Sequence, residues 1–305
     1  MKLTRRDLIR YGAGVSLVAA GGGWGALMAD SHGLIEVTIP SSGRKVPAVG
    51  IGTVSFRGAP GTAEMAPFRE TLEVFHRLGG RLLDTSPNYG NSEQVLGHLL
   101  PELGLREDVF MATKVDREER AAGIERMEGS VERLGLPIDL MQVHNLRGTR
   151  EALAKMREWK QDGRIRYIGI TTSHGRRHAA LQRALQDETF DFVQFTYNII
   201  DREAEQHLLP LAHERGVAVI INRPFRGGDL FGLFARKPLP DWASEFDCDN
   251  WAQFFLKFIA AHPDVTCIIP ATSKVKHMVD NMAAGFGRLP DAEMRERMAA
   301  YFAAL

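Results

Sequence analysis

Beyond residue 47, short apolar runs alternate with longer amphipathic stretches along most of the chain. Strand-like runs occupy residues 48–52, 81–84, 109–114, 139–144, 166–170, 192–195, 217–221 and 266–269. Helix-like patterns fall at 64–78, 92–103, 119–134, 150–161, 176–187, 204–215, 250–261 and 275–285. A helix between two strands carries the chain back along the sheet, so the strands run parallel. Eight such units in about 270 residues match a closed (β/α)8 TIM barrel. A doubly wound open sheet is the competing arrangement, but it would place a glycine fingerprint after its first strand. The nearest match, Gly21-Gly22-Gly23-Trp24-Gly25-Ala26, has no strand before it. Ahead of the barrel, residues 34–40 and 45–47 flank Ser41-Ser42-Gly43 and predict an N-terminal β-hairpin.

The segment before the hairpin is of a different kind. Thr4-Arg5-Arg6-Asp7-Leu8-Ile9-Arg10 is a paired-arginine region, followed by an uncharged, glycine-rich stretch over 11–29. That stretch is short and weakly apolar for a membrane span. It ends in Ala26-Leu27-Met28-Ala29 before Asp30 and resembles a twin-arginine export signal. The expected division is a signal peptide over 1–29 and a barrel domain over 30–305, exported folded to the periplasm by the twin-arginine machinery. A basic tail or an uncleaved anchor are the alternatives. Lys plus Arg and Asp plus Glu balance at 38 each, which gives no support for nucleic acid as a partner. The two cysteines, Cys248 and Cys267, do not make a disulfide framework.

Chemistry concentrates at strand ends. Asp84 closes one apolar run and leads through Thr85-Ser86-Pro87-Asn88 to Tyr89. Lys114 and His144 close the next two runs. Each alone reads as structural. Together, an acid, a phenol, an ammonium and an imidazole at the mouth of one barrel suggest proton transfer. One connection, from 222 to 250, is long and apolar, with Phe225, Leu230, Phe231 and Trp242. It reads as a lid or binding wall, or as a small satellite core. The helix pattern at 119–134 carries charges, Arg133 among them, that read as a solvated face. His174 and His178 have a metal-compatible spacing, but Arg176 and Arg177 lie between them and no third ligand is evident, so no metal is expected.

In order and spacing, Asp84, Tyr89, Lys114 and His144 resemble the catalytic tetrad of the aldo-keto reductases. Leu83 through Glu93, Gly163 through Ile170, and Ile269-Pro270-Ala271-Thr272-Ser273 with His277 and Asn281 resemble three further segments of that family. The resemblance covers about Leu34 to Asn281. It implies an NADP(H)-dependent oxidoreductase that reduces an aldehyde or ketone to an alcohol. Hydride addition leaves an alkoxide in need of a proton. Tyr89 would supply it, with Lys114 lowering the phenol pKa from about 10, Asp84 holding Lys114, and His144 orienting the carbonyl oxygen.

For the cofactor, the resemblance implies Gln194 facing the nicotinamide. Thr171 and Thr172 stand where the family often has Ser-Asn, and Asn222 where it often has a stacking aromatic. Arg223 would reach the pyrophosphate as a bidentate donor. Thr272, Ser273, Lys274, Lys276 and His277 would meet a 2′-phosphate, which favours NADP over NAD, and Asn281 would read the adenine. The changes at Thr171, Thr172 and Asn222 also leave open a cofactor-binding barrel with a sensing or structural role and little turnover. The expected partner is a small-molecule carbonyl compound, and the chain is expected to be a monomer.

Overall fold

The computed structural model describes residues 33–234 and 237–305. The proposed signal lies outside the described residues. Eight parallel strands are ordered β3 (Ile51–Gly52), β4 (Leu82–Asp84), β5 (Phe110–Val115), β6 (Ile138–His144), β7 (Ile165–Thr171), β8 (Phe192–Thr196), β9 (Ala218–Asn222) and β10 (Cys267–Ile268). Parallel bridges Val49↔Ile268 and Gly52↔Ala271 join the last strand to the first. The seam is tight. A Cβ at Gly50 would stand 3.1 Å from the Cys267 sulfur, and one at Gly52 3.1 Å from the Ile269 carbonyl oxygen. Glycine lets the two short strands approach closely enough to close the barrel. The predicted runs at 48–52 and 266–269 are therefore only partly paired as ladder.

The helices follow the predicted order: α1 (Ala66–Arg77), α2 (Ser92–Glu102), α3 (Arg120–Leu134), α4 (Thr149–Gln161), α5 (His178–Asp187), α6 (Leu208–Glu214), α7 (Asp229–Phe234), α8 (Trp251–Ala260), α9 (Val275–Ala283) and α10 (Ala292–Ala303). The last was not legible as a repeat unit. Its inward residues are Arg295 and Met298 rather than an apolar stripe. Arg295 Nε donates to the Phe258 carbonyl at 3.0 Å, and its Nη2 reaches Glu205 at 2.9 Å. The charged face expected on α3 is solvent-exposed at Glu125, Glu128 and Glu132, as are Glu118 and Glu119 just before it, and Arg133 is the exception. Arg133 Nε is 2.7 Å from Glu93, whose side chain is buried, so the pair joins α3 to α2.

Strand alternation sets the interior. Phe110, Tyr167 and Phe192 pack ring on ring at centroid distances of 5.3–5.7 Å. They belong to an apolar cluster with Leu82, Leu140 and Ile220. The hairpin β1 (Glu36–Thr38) and β2 (Lys45–Pro47) adds Val46, and the adjoining Ile39, to that cluster. Tyr167 donates a hydrogen bond to Ser42 Oγ at 2.8 Å. One or two inward steps further along the strands, the side chains become Asp84, Lys114, Gln142, His144, Thr171, Gln194 and Asn222. The same period thus builds an apolar floor and a polar upper layer.

The long connection is a satellite core. Leu230 is buried, Phe225 and Phe231 lie 4.8 Å apart, and Trp242 packs on Phe246 and Phe254. Lys257 on α8 is fully buried. Its ammonium donates to the carbonyls of Phe246, Phe286 and Arg288 at 2.8–2.9 Å. A cation with three acceptors can be buried without a carboxylate partner. Cys248 and Cys267 are both free and buried. Among the described residues, no helix is long and apolar enough to cross a membrane.

Candidate active site

Asp84, the last residue of β4, is 1% exposed and fully engaged. Its Oδ2 accepts from Lys114 Nζ at 2.5 Å, and its Oδ1 from Gln142 Nε2 at 3.0 Å and Gln194 Nε2 at 2.8 Å. Lys114 Nζ also donates to the Thr85 carbonyl at 2.7 Å. The ammonium lies 5.0 Å from the centre of the Tyr89 ring. The His144 ring stands edge-on to Tyr89, with centroids 6.4 Å apart. The structure therefore brings the four predicted tetrad residues together at one end of the barrel. The turn that carries Tyr89 is braced from behind, where Ser92 Oγ donates to the Thr53 carbonyl at 3.0 Å and lies 3.0 Å from Thr85 Oγ1.

Burial opposes the charge on Lys114, but Asp84 and Tyr89 outweigh it, and the ammonium is held above its usual range. The expectation for Tyr89 is corrected. Burial raises the phenol above 10, and the opposing pull of Lys114 does not offset it. The phenol is thus protonated at neutral pH, as a proton donor must be. His144 is pushed down to about 4, chiefly by burial and then by Lys114. Below 6.5 the unfolded chain takes up a proton that folded His144 does not. Stability from this group is therefore complete above pH 6.5 and lost as pH falls towards 4. Melting curves across that window should show a shallower acid limb in His144→Gln than in the parent.

Of the proposed cofactor residues, Thr171, Gln194 and Asn222 lie towards the ends of neighbouring strands. Gln194 is buried, and its amide is engaged with protein. Beyond Asp84, its Oε1 accepts from Thr171 Oγ1 at 3.1 Å and from Asn222 Nδ2 at 3.4 Å. Asn222 Nδ2 also donates to the Thr172 carbonyl at 2.9 Å, and its Oδ1 accepts from Thr196 Oγ1 at 2.9 Å. Thr172 Oγ1 is buried without a hydrogen-bond partner. Arg223 is exposed and has left-handed backbone, φ 50°. Past β10, Thr272 Oγ1 accepts from Lys274 N at 3.1 Å, Lys274 and His277 are exposed, and Asn281 is buried on α9. His178 packs edge-on against Phe195. No group of three His, Cys, Asp or Glu able to hold a metal occurs among the described residues.

Sequence reasoning missed four supporting residues. Gln142 is an inward polar residue two positions before His144, and that alternation was its signal. Asn88, Asp116 and Arg126 surround His144, and nothing in their spacing announced them.

Comparison with known proteins decides the family. The aldo/keto reductase family matches residues 48–301. The chain belongs to the aldo/keto reductase family. An NADH-specific methylglyoxal reductase of Escherichia coli is 30% identical over 230 residues, covering 64% of this chain and 68% of its own length. An aldo-keto reductase of Strobilurus tenacellus is 26% identical over 292 residues, 81% of this chain and 85% of its own. A solved aldo-keto reductase of Bacillus halodurans superposes with a TM-score of 0.73 at 24% identity, covering 88% of this chain and 96% of its own. A Klebsiella pneumoniae aldo/keto reductase in complex with NADP and acetate gives 0.71 at 24% identity, covering 85% and 93%. As an aldo/keto reductase, the chain carries the family's (β/α)8 barrel with an N-terminal hairpin.

Proposed function

We propose that this aldo/keto reductase is an NADP(H)-dependent enzyme that reduces an aldehyde or ketone to an alcohol. The observation that carries the reading is the placement of the Lys114 ammonium between the Asp84 carboxylate and the Tyr89 ring, with His144 beside them. A nicotinamide cofactor, when bound, would supply the hydride for the carbonyl carbon. Tyr89 gives its hydroxyl proton to the carbonyl oxygen as negative charge develops there. Lys114 holds positive charge near the phenolate that remains, and Asp84 keeps Lys114 in place. His144, neutral at working pH, donates a hydrogen bond to the same oxygen.

The residues present fit a nicotinamide cofactor. The unpartnered Thr172 hydroxyl offers a donor and an acceptor where a carboxamide would sit. Thr171, Gln194 and Asn222 form the wall behind it. Arg223 would meet the pyrophosphate. Thr272, Ser273, Lys274 and His277 would meet a 2′-phosphate, and Asn281 the adenine. The relatives differ on the nucleotide, since one is named NADH-specific and another is described with NADP. The cationic Lys274 favours NADP here. The paired arginines at Arg5-Arg6 support export of the folded barrel to the periplasm, which cell fractionation would test.

The enzyme test is direct. Purified protein with methylglyoxal or a simple aldehyde should oxidise NADPH, with kcat/KM at least about tenfold above that for NADH, a difference of about 1.4 kcal/mol. Lys274→Ala should erode that preference. Failure to bind either nucleotide would sink the reading. Tight binding with no multiple turnover would replace it with a sensing role.

A further inference from the structure

Asn88 sits one residue before Tyr89, and its amide has three neighbours. Arg126 of α3 donates to Asn88 Oδ1, and Asn88 Nδ2 donates to Asp116 Oδ2 at 2.6 Å. A guanidinium can only donate and an ionised carboxylate can only accept, so these two partners fix which end of the amide is which. The NH2 end is then also the one that faces His144 Nδ1, at 3.5 Å. A donor meeting Nδ1 requires a lone pair there, which leaves the single proton of a neutral imidazole on Nε2.

We infer that Asn88, oriented by Arg126 and Asp116, acts as a positioning residue that holds His144 in the Nε2–H tautomer. In that state Nε2 donates a hydrogen bond, and it is the ring nitrogen not engaged by Asn88. The opposite tautomer would present a lone pair to the substrate oxygen and repel it. The inference rests on the carbonyl-reduction reading for its kinetic consequence, but the tautomer itself does not depend on turnover. The groups that bear on the imidazole are Asp84 and Lys114 from the barrel interior, Asp116 after β5, Arg126 from α3, and Tyr89 and Asn88 from the turn. Of these, only Asn88 touches Nδ1.

The test uses the full chain carrying ¹⁵N-labelled histidine, with the His144 signals assigned by their loss in His144→Gln. Proton-nitrogen correlation should place the proton on Nε2 in the parent. Asn88→Asp replaces the donor with an acceptor and should move the proton to Nδ1. Its kcat should fall by about tenfold to a hundredfold, with the KM for NADPH unchanged. Asn88→Ala should give a tautomer mixture and a smaller loss. In a His144→Gln background, Asn88→Asp should cost little more, because the group it orients is gone. A parent with its proton on Nδ1, or an unmoved tautomer in Asn88→Asp, overturns the inference. So does an undiminished loss in the His144→Gln background. If no variant and no parent turns over any carbonyl, the functional reading fails, and the tautomer measurement still decides this one.

Discussion

Tyr89→Phe is expected to lower kcat for aldehyde reduction by about 10²–10⁴-fold, the range associated with a positioned acid. NADPH should bind as before. The substitution removes one oxygen and keeps the ring that lies against Lys114 and His144. Little packing is lost, so the melting temperature should hardly move, and the effect should appear in the chemical step. Because burial lifts the phenol above 10, the parent should keep its proton-donating form throughout the neutral range, and the limb of the rate profile due to this group should fall on the alkaline side. That alkaline limb should be absent from the residual activity of Tyr89→Phe. Stopped-flow reduction with saturating NADPH separates the chemical step from product release. Activity within threefold of the parent would mean that another group delivers the proton.

Lys114→Met should damage both stability and catalysis. Lys114 and Asp84 are each 1% exposed, and their 2.5 Å contact is a buried ion pair. Removing one partner leaves an uncompensated charge, which costs about 3–5 kcal/mol. Asp84 would keep Gln142 and Gln194 as donors, which places the expected loss towards the lower end. The Thr85 carbonyl also loses its donor. Urea unfolding should show the loss, and the double variant Lys114→Met/Asp84→Asn should recover part of it, because the stranded charge is then gone. Kinetically, Lys114 pulls both the Tyr89 phenol and the His144 imidazole towards lower pKa. Without it both should rise, so the acid limb of the rate profile should move towards neutrality. A variant as stable as the parent would show that the pair contributes nothing net to the fold.

The barrel was legible because its signal is repetitive. Eight apolar runs with helices between them leave few topologies, and small errors in their ends do not change the order. The ends themselves were less legible. Ile51–Gly52 and Cys267–Ile268 pair for only two residues, since the seam is set by close approach at Gly50 and Gly52 rather than by an alternating side-chain pattern. Ala292–Ala303 was invisible as a helix because Arg295 occupies its inward face. At the site, Asp84, Tyr89, Lys114 and His144 could be read from their places at strand ends. Their electrostatics could not. Burial, which no motif records, reversed the expected direction for Tyr89. Gln194 and Asn222 were expected to face a ligand, yet their amides bond chiefly to one another's surroundings. Asn88 gains its meaning only when α3 brings Arg126 across the turn.

The seam also bears on synthesis. Gly52 lies near the start of the barrel and Ala271 near its end, so the first strand leaves the ribosome long before its second neighbour exists. Until the stretch around Cys267–Ala271 has emerged, two strand edges stand open, and an open edge is a template for pairing with another chain. The nascent protein therefore spends most of its translation as an incomplete, adhesive sheet. The hairpin with Ile39 and Val46 is made at the outset and can shield the apolar floor, but it forms a separate two-stranded sheet and leaves the edges open. Growing at this seam, the barrel becomes a finished object only when its last strand arrives, and any handover of the folded chain has to wait for that moment.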